Sequence, residues 1–274
     1  MLTPDLRRAS IFYFITLGLA VALALMAPKF GEIVLLLTMA TPTVAALLML
    51  FWIAPETGWR GVPGLLGLNR AGLKGWPVAI GVPAAIHLAG FAVLGLTGLA
   101  LFALPAAGGS LPQAMVKFII GLGISTILAL FEEVGWRGYM LPRVIGIGVV
   151  PAMLLVGLLH GVWHLPLLLG TDYYHSTGNP WLVAPLFLVT LTLAGVIYGF
   201  LRIWTGSVWP VAIAHAAANN AWEVMNNVTQ TKSPVVQEYV GGESGLIMIA
   251  GLAIFAIVVI RFMRRDGFVA GLKV

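Results

Sequence analysis

Three short stretches place titratable and amide side chains in a chain that is 60% hydrophobic and only 9% charged. They are Phe131-Glu132-Glu133-Val134-Gly135-Trp136-Arg137, then His160-Gly161-Val162-Trp163-His164, and then His215-Ala216-Ala217-Ala218-Asn219-Asn220. In the first, Glu133 and Arg137 are one helical turn apart and can form a carboxylate–guanidinium pair. Glu132 is rotated about 100° from Glu133. It has no partner in its own helix, which suits it to general-base work. In the second stretch, His160 and His164 have the spacing of a zinc-binding helix. Gly161, however, stands where the H-E-x-x-H signature has its glutamate. A carboxylate working with these histidines must come from another helix, and Glu132 is the candidate. In the third, His215 and Asn219 share a face, with Glu223 one turn further on. A His and an Asn side by side can donate hydrogen bonds to a developing oxyanion.

Taken singly, each stretch has a structural reading as well. Glu132, Glu133 and Arg137 can form the polar end of a span, His160 can bond a backbone carbonyl, and His215 with Asn219 can be polar glue between helices. Taken together, polar side chains on three spans cannot all face lipid, so they converge inside the bundle. A glutamate base, a histidine beside it and a His–Asn pair for an oxyanion make a complete hydrolase set. No Ser/His/Asp or Cys/His set competes, and the chain has no cysteine. His87 and His175 stand alone. The first reads as a satisfied polar group in a helix and the second as a solvated loop residue.

The elements that must position these residues are membrane spans. Eight apolar segments have the roughly 17–25 residues a helix needs to cross hydrocarbon. They are Ser10–Ala27, Glu32–Ala54, Trp76–Leu101, Gln113–Glu132, Val149–Leu169, Trp181–Leu201, Val208–Asn226 and Gly245–Phe262. Pro42 and Pro83 fall inside segments and predict kinks. With both termini on one side, alternate loops place twelve of the fifteen Lys and Arg on that side and only Lys29, Lys117 and Lys232 opposite. That bias predicts cytoplasmic N- and C-termini. Arg7 and Arg8 precede a first helix read as retained rather than cleaved. The stretch Gly58–Arg70 is expected to lie along the membrane surface. Tyr173, Tyr174 and Trp181 are expected to anchor the opposite interface. The fold class is therefore an all-α polytopic helix bundle, one integral-membrane domain over 1–274 with its motif-bearing core at about 114–225. The +5 net charge contains no basic run, so no nucleic-acid partner is implied.

In this order and spacing, Glu132-Glu133-x-x-x-Arg137, the Leu159-His160-Gly161-Val162-Trp163-His164-Leu165-Pro166 stretch and His215-x-x-x-Asn219 resemble the motifs of the CPBP family. That family comprises CAAX proteases and bacteriocin-processing proteins and is also called the ABI family. Eight spans with cytoplasmic ends are similar to its Ras-converting type II CAAX endopeptidases. The resemblance implies an intramembrane endopeptidase acting on CAAX-like or other membrane-associated peptides. It implies that Glu132 activates water with help from His164, that Glu133 pairs with Arg137, and that His215 with Asn219 forms the oxyanion side. The family's description as metalloproteases implies zinc, with Glu132, His164 and His215 as ligand candidates, while a glutamate-activated water needs no metal. One departure stands out. The family has an aromatic, typically Phe, four residues before the second-motif histidine, where this chain has His160, a further ligand or proton carrier. Short loops and an Ala/Gly/Leu-rich composition point to a bacterial plasma membrane. Two other uses of such a polar core are a non-catalytic immunity or scaffold protein of the same family and a small transporter. The chain shows no inverted repeat of the transporter kind.

Overall fold

The computed structural model describes residues 2–102, 111–171 and 178–265. It is a helix bundle: α1 (Pro4–Phe30), α2 (Ile33–Leu48), α3 (Val62–Leu66), α4 (Trp76–Leu96), α5 (Leu111–Glu133), α6 (Leu141–Val144), α7 (Val149–Gly170), α8 (Pro180–Thr205), α9 (Trp209–Asn227) and α10 (Leu246–Arg265). All eight expected segments are helices. Seven are long and apolar enough to cross a membrane, and the chain is a multi-pass integral membrane protein. The helix outside those seven is α9, which carries His215, Asn219, Asn220, Glu223, Asn226 and Asn227. Its polarity is tolerated because it packs along α4 and α5 rather than against lipid alone.

Local chemistry sets the helix ends. Thr3 caps α1 and Asn179 caps α8, each side chain accepting a backbone N–H of the first turn. Proline occupies the first turn of α3, α4, α8 and α9, where no helical hydrogen bond is lost. Pro42 lies inside α2, where its ring leaves the Thr38 carbonyl without a helical donor. The Thr41 hydroxyl donates to that carbonyl at 2.8 Å. The third expected segment stops earlier than its apolar run. The α4 helix ends at Leu96, Gly98 turns the chain at φ 67°, and Ala100–Phe102 pairs antiparallel with Thr229–Thr231. This two-stranded ladder ties the end of α4 to the end of α9.

The largest core cluster joins α1, α2, α6 and α7 around Phe12, Trp136, Tyr139, Met49, Met153 and Trp163. Phe12 meets the Trp136 ring edge-on at 5.7 Å. Backbones of α7 and α8 touch through glycine. A Cβ on Gly157 would stand 2.5 Å from the Leu191 carbonyl oxygen, and one on Gly195 would stand 2.6 Å from the Gly157 Cα. Such small-residue contacts are how membrane helices approach closely without a hydrophobic drive.

The ends rich in arginine gather at one end of the bundle. Arg8 and Arg143 both pair with Glu56, and Arg202 reaches the Arg137 carbonyl at 3.2 Å. The segment after Glu56 departs from the expected surface position. Trp59 is exposed, yet Val62 and Leu66 are buried in the core. Beyond α3, the Gly67 carbonyl accepts from Val208 N–H at 3.0 Å and the Leu68 carbonyl from the Trp209 indole at 3.1 Å. These carbonyls and two buried aliphatic side chains hold the segment under the start of α9. Tyr173, Tyr174 and His175 lie outside the described residues.

Candidate active site

The first motif does not end a helix. After Glu133 the chain widens into a π-helix over Val134–Met140 and continues through α6. The carboxylates therefore sit in the middle of a long helical run rather than at its polar end. The wide turns match their surroundings. A Cβ on Gly135 would meet Pro42 at 2.4 Å, and one on Gly138 would meet the Leu66 carbonyl at 3.0 Å, so glycine lets α2 and α3 in. Carbonyls along the irregular stretch find side-chain donors: Phe131 from Thr43, Arg137 from Arg202 and Tyr139 from Arg143. Such π-segments are frequent at functional sites.

The Glu133–Arg137 pair forms as the spacing predicts. Arg137 Nη1 stands 3.0 and 2.9 Å from the two Glu133 oxygens, with both side chains buried. The same Nη1 lies 3.0 Å from His160 Nδ1, and His160 Nε2 lies 2.9 Å from Glu132 Oε2. A guanidinium can only donate, so His160 Nδ1 accepts and its proton sits on Nε2, donated to Glu132. Glu132 is thus no unpartnered carboxylate: its partner comes from α7. His164 Nε2 is 3.8 Å from the same Glu132 oxygen, beyond direct hydrogen-bond range. His215 Nδ1 stands 2.9 Å from Glu133 Oε1 and its ring stacks on Tyr198 at 5.8 Å.

Glu132, His164, His215 and Asn219 all line one cavity of about 280 Å³. The four side chains singled out from three motifs are brought together. His215 lies close to Pro210 at the start of α9, and the segment beneath α9 makes Pro210 itself buried. Glu133, Arg137 and His160 stand behind the cavity wall. Asn220 turns away and donates to the Ala216 carbonyl at 2.8 Å, and exposed Glu223 is not among the lining residues. Sequence reasoning missed four polar lining residues: Thr190, Tyr198, Glu243 and, as a cavity residue, His87. His87 is bonded to the Pro83 carbonyl at 2.8 Å, as expected of an isolated helix histidine, but it also faces the cavity. Glu243 carried one signal, an acid in a Gly-Gly-Glu-Ser-Gly run just ahead of an apolar span.

Residues 113–221 match the family model described as Rce1-like, type II CAAX prenyl endopeptidase Rce1-like. Over these residues the chain is similar to the Rce1-like family. The matched stretch contains all three motifs. The family is one of CAAX-type membrane proteases. A comparison with curated proteins gives no match.

A metal would have to be held by the Rce1-like segment's own donors. Among the described residues, Glu132, His160 and His164 can each offer one atom within 4.8 Å of the others, and His215 is not part of that group. The chemistry of the trio does not fit a ligand set. A neutral imidazole has one lone pair, and that of His160 is taken by Arg137. Binding metal through Nε2 would require either an imidazolate or loss of the Arg137 contact. Two donors then remain, fewer than the three protein ligands of a catalytic zinc site.

Proposed function

We propose that this protein is a membrane-embedded endopeptidase in which Glu132 and His164 activate a water against a peptide carbonyl. The observation that carries this reading is the 3.8 Å gap between His164 Nε2 and Glu132 Oε2 at the floor of a cavity also lined by His215 and Asn219. A water held between a carboxylate and an imidazole is positioned for deprotonation. Its proton passes to Glu132, the hydroxide bonds to the carbonyl carbon, and the carbonyl oxygen becomes an oxyanion. Asn219 Nδ2 and His215 Nε2 are the donors on that side. Collapse of the tetrahedral centre breaks the C–N bond as Glu132 returns its proton to the departing amine.

His215 can donate through Nε2 only as an imidazolium, because Nδ1 already donates to Glu133. The charges then balance, with two carboxylates, Glu132 and Glu133, facing Arg137 and protonated His215. His160 is a positioning residue. Its N–H engages Glu132 Oε2, the oxygen nearest His164, and fixes the carboxylate beside the water. No step of this scheme passes through a metal, and activity is expected to survive a chelator. The substrate is a peptide segment delivered at the membrane, and the membrane is the plasma membrane of a bacterium, with both termini cytoplasmic.

The test is cleavage of membrane-anchored and CAAX-type peptides by the purified protein in detergent or vesicles. Glu132→Gln and His164→Ala are each expected to lower kcat by about 10²–10⁴, the usual weight of positioned acid–base groups. Equal cleavage by wild type and both variants would overturn the reading.

A further inference from the structure

The cavity extends beyond the proposed chemistry, and of its remaining polar groups His87, Thr190 and Glu243 offer acceptors, while the Tyr198 hydroxyl can also donate. His87 is buried, and its Nδ1–H donates to the Pro83 carbonyl, so Nε2 keeps its lone pair. The Thr190 hydroxyl donates to the Leu186 carbonyl at 3.0 Å and leaves its oxygen to accept. Glu243, exposed at the rim, forms no ion pair among the described residues. Among the described residues no Lys or Arg lines the cavity. At the end formed by His87 and Glu243 a terminal carboxylate or a phosphate would meet lone pairs and a carboxylate, because the protonated His215 is already paired with Glu133. A protonated amine or a guanidinium would meet complementary groups on both sides.

The open end is equally defined. Leu35 near the start of α2, Met248 near the start of α10 and Glu243 just before it line the cavity at the end of the bundle that carries Lys29 and Lys232. Toward the arginine-rich end the lining stops at Val82, Tyr198 and His215, each well inside its helix. Below them the segment ahead of α4 closes the bundle. A Cβ on Gly72 would stand 2.7 Å from Pro210 and one on Gly75 would stand 2.7 Å from Thr205.

The geometry points to a subsite, formed by His87 and Glu243, that receives a positively charged peptide side chain reaching the cavity from the end opposite the arginine-rich loops. It rests on the endopeptidase reading and narrows its substrates to segments with a Lys or Arg beside the cleaved bond. By the bias of basic residues toward the cytoplasm, these segments are presented at the outer face.

Binding and cleavage are measured separately so that the two ideas fail separately. Three fluorescent peptides carry Lys, norleucine or Glu at one position. They are bound to the full-length Glu132→Gln variant in vesicles and offered to the wild type for cleavage. The Lys peptide is expected to bind about tenfold more tightly than the norleucine peptide, and Glu243→Gln is expected to shrink that ratio to about twofold or less. Equal binding of the three peptides, or a Lys preference that survives Glu243→Gln, overturns the subsite. Lys-selective binding without any cleavage keeps the subsite and removes the endopeptidase reading, and cleavage without selectivity does the reverse. The cysteine-free sequence allows a direct test of access. A membrane-impermeant maleimide added to sealed cells is expected to label Glu243→Cys and to spare Arg70→Cys. The opposite pattern overturns the direction of access.

Discussion

The two walls of the cavity are built on different plans. On the α5–α7 wall, Glu132, Glu133, Arg137 and His160 are all buried and each is bonded to another member of the set. On the facing wall, His87 is tied to its own helix, while Asn219 and Glu243 are exposed at the cavity. The first wall is an array that holds one carboxylate in place. The second is a surface that meets what enters. His215 bridges them, bonded to Glu133 on one side and lining the cavity on the other. If this division is right, changes to the first wall disturb folding and activity together, and changes to the second disturb activity alone.

The largest effect is expected from Arg137→Ala. It strips a partner from both Glu133 and His160 and leaves a buried carboxylate facing only His215. Breaking a buried pair from one side costs about 3–5 kcal/mol, to be read as a fall in thermal unfolding temperature in detergent together with lost cleavage. Arg137→Lys is expected to recover part of the stability, because a point charge cannot reach both partners with the geometry of a guanidinium. An Arg137→Ala protein that melts like the wild type would break the comparison at its first wall.

Asn219→Ala is the counterpart on the second wall. Loss of one oxyanion donor lowers kcat by about 10²–10³. Among the described residues the side chain has no hydrogen-bond partner to lose, so KM and the melting temperature stay near wild type. A melting shift as large as that of Arg137→Ala would show that Asn219 is glue between helices after all.

His160 sharpens the division because it distinguishes holding from filling. His160→Phe keeps the stacking on Trp136, now 5.1 Å between ring centres, but removes both hydrogen bonds. A hydrogen bond to a charged group is worth about 1.5–3 kcal/mol, so kcat is expected to fall by roughly ten- to a hundredfold with KM little changed. His160→Gln can accept from Arg137 and donate to Glu132, and is expected to recover most of the loss. If Phe is as active as His, the ring only fills space.

Much of this organisation was legible in the sequence, for identifiable reasons. Span length and charge alternation depend on hydrocarbon thickness and loop polarity, which are local properties, so the eight helices fell where the apolar runs are. The pairing of Glu133 with Arg137 needs only one helical turn. What could not be read was whatever depends on a neighbour distant in the chain. The π-helix at Val134–Met140 is shaped by Pro42 and Leu66 pressing on Gly135 and Gly138, and nothing within the run announces it. The partner of Glu132 is His160, 28 residues away on another helix. His87 and Glu243 are isolated polar residues that acquire meaning only when α4 and α10 close the cavity. The α9 helix was legible as a helix, but its buried start depends on carbonyls of residues 67–70 that its own sequence does not mention.

The smallest expected effect concerns the support of the first wall from α2. Thr41 does two things at once: it donates to the Thr38 carbonyl that Pro42 leaves unbonded, and it accepts the Trp163 indole N–H at 3.1 Å. Trp163 precedes His164 and packs edge-on against it at 4.5 Å, so this bond fixes the α7 face that presents the histidines. Trp163→Phe removes one neutral hydrogen bond and is expected to cost about 1 kcal/mol of stability. Thr41→Val is expected to cost more, since it also leaves the Thr38 carbonyl and the buried indole N–H unpaired. In a double-mutant cycle the two changes are not additive: once Thr41 is Val, Trp163→Phe removes a donor that has already lost its acceptor. Additive losses would mean that the indole–hydroxyl contact carries no weight, and that α7 is positioned by packing against its neighbouring helices alone.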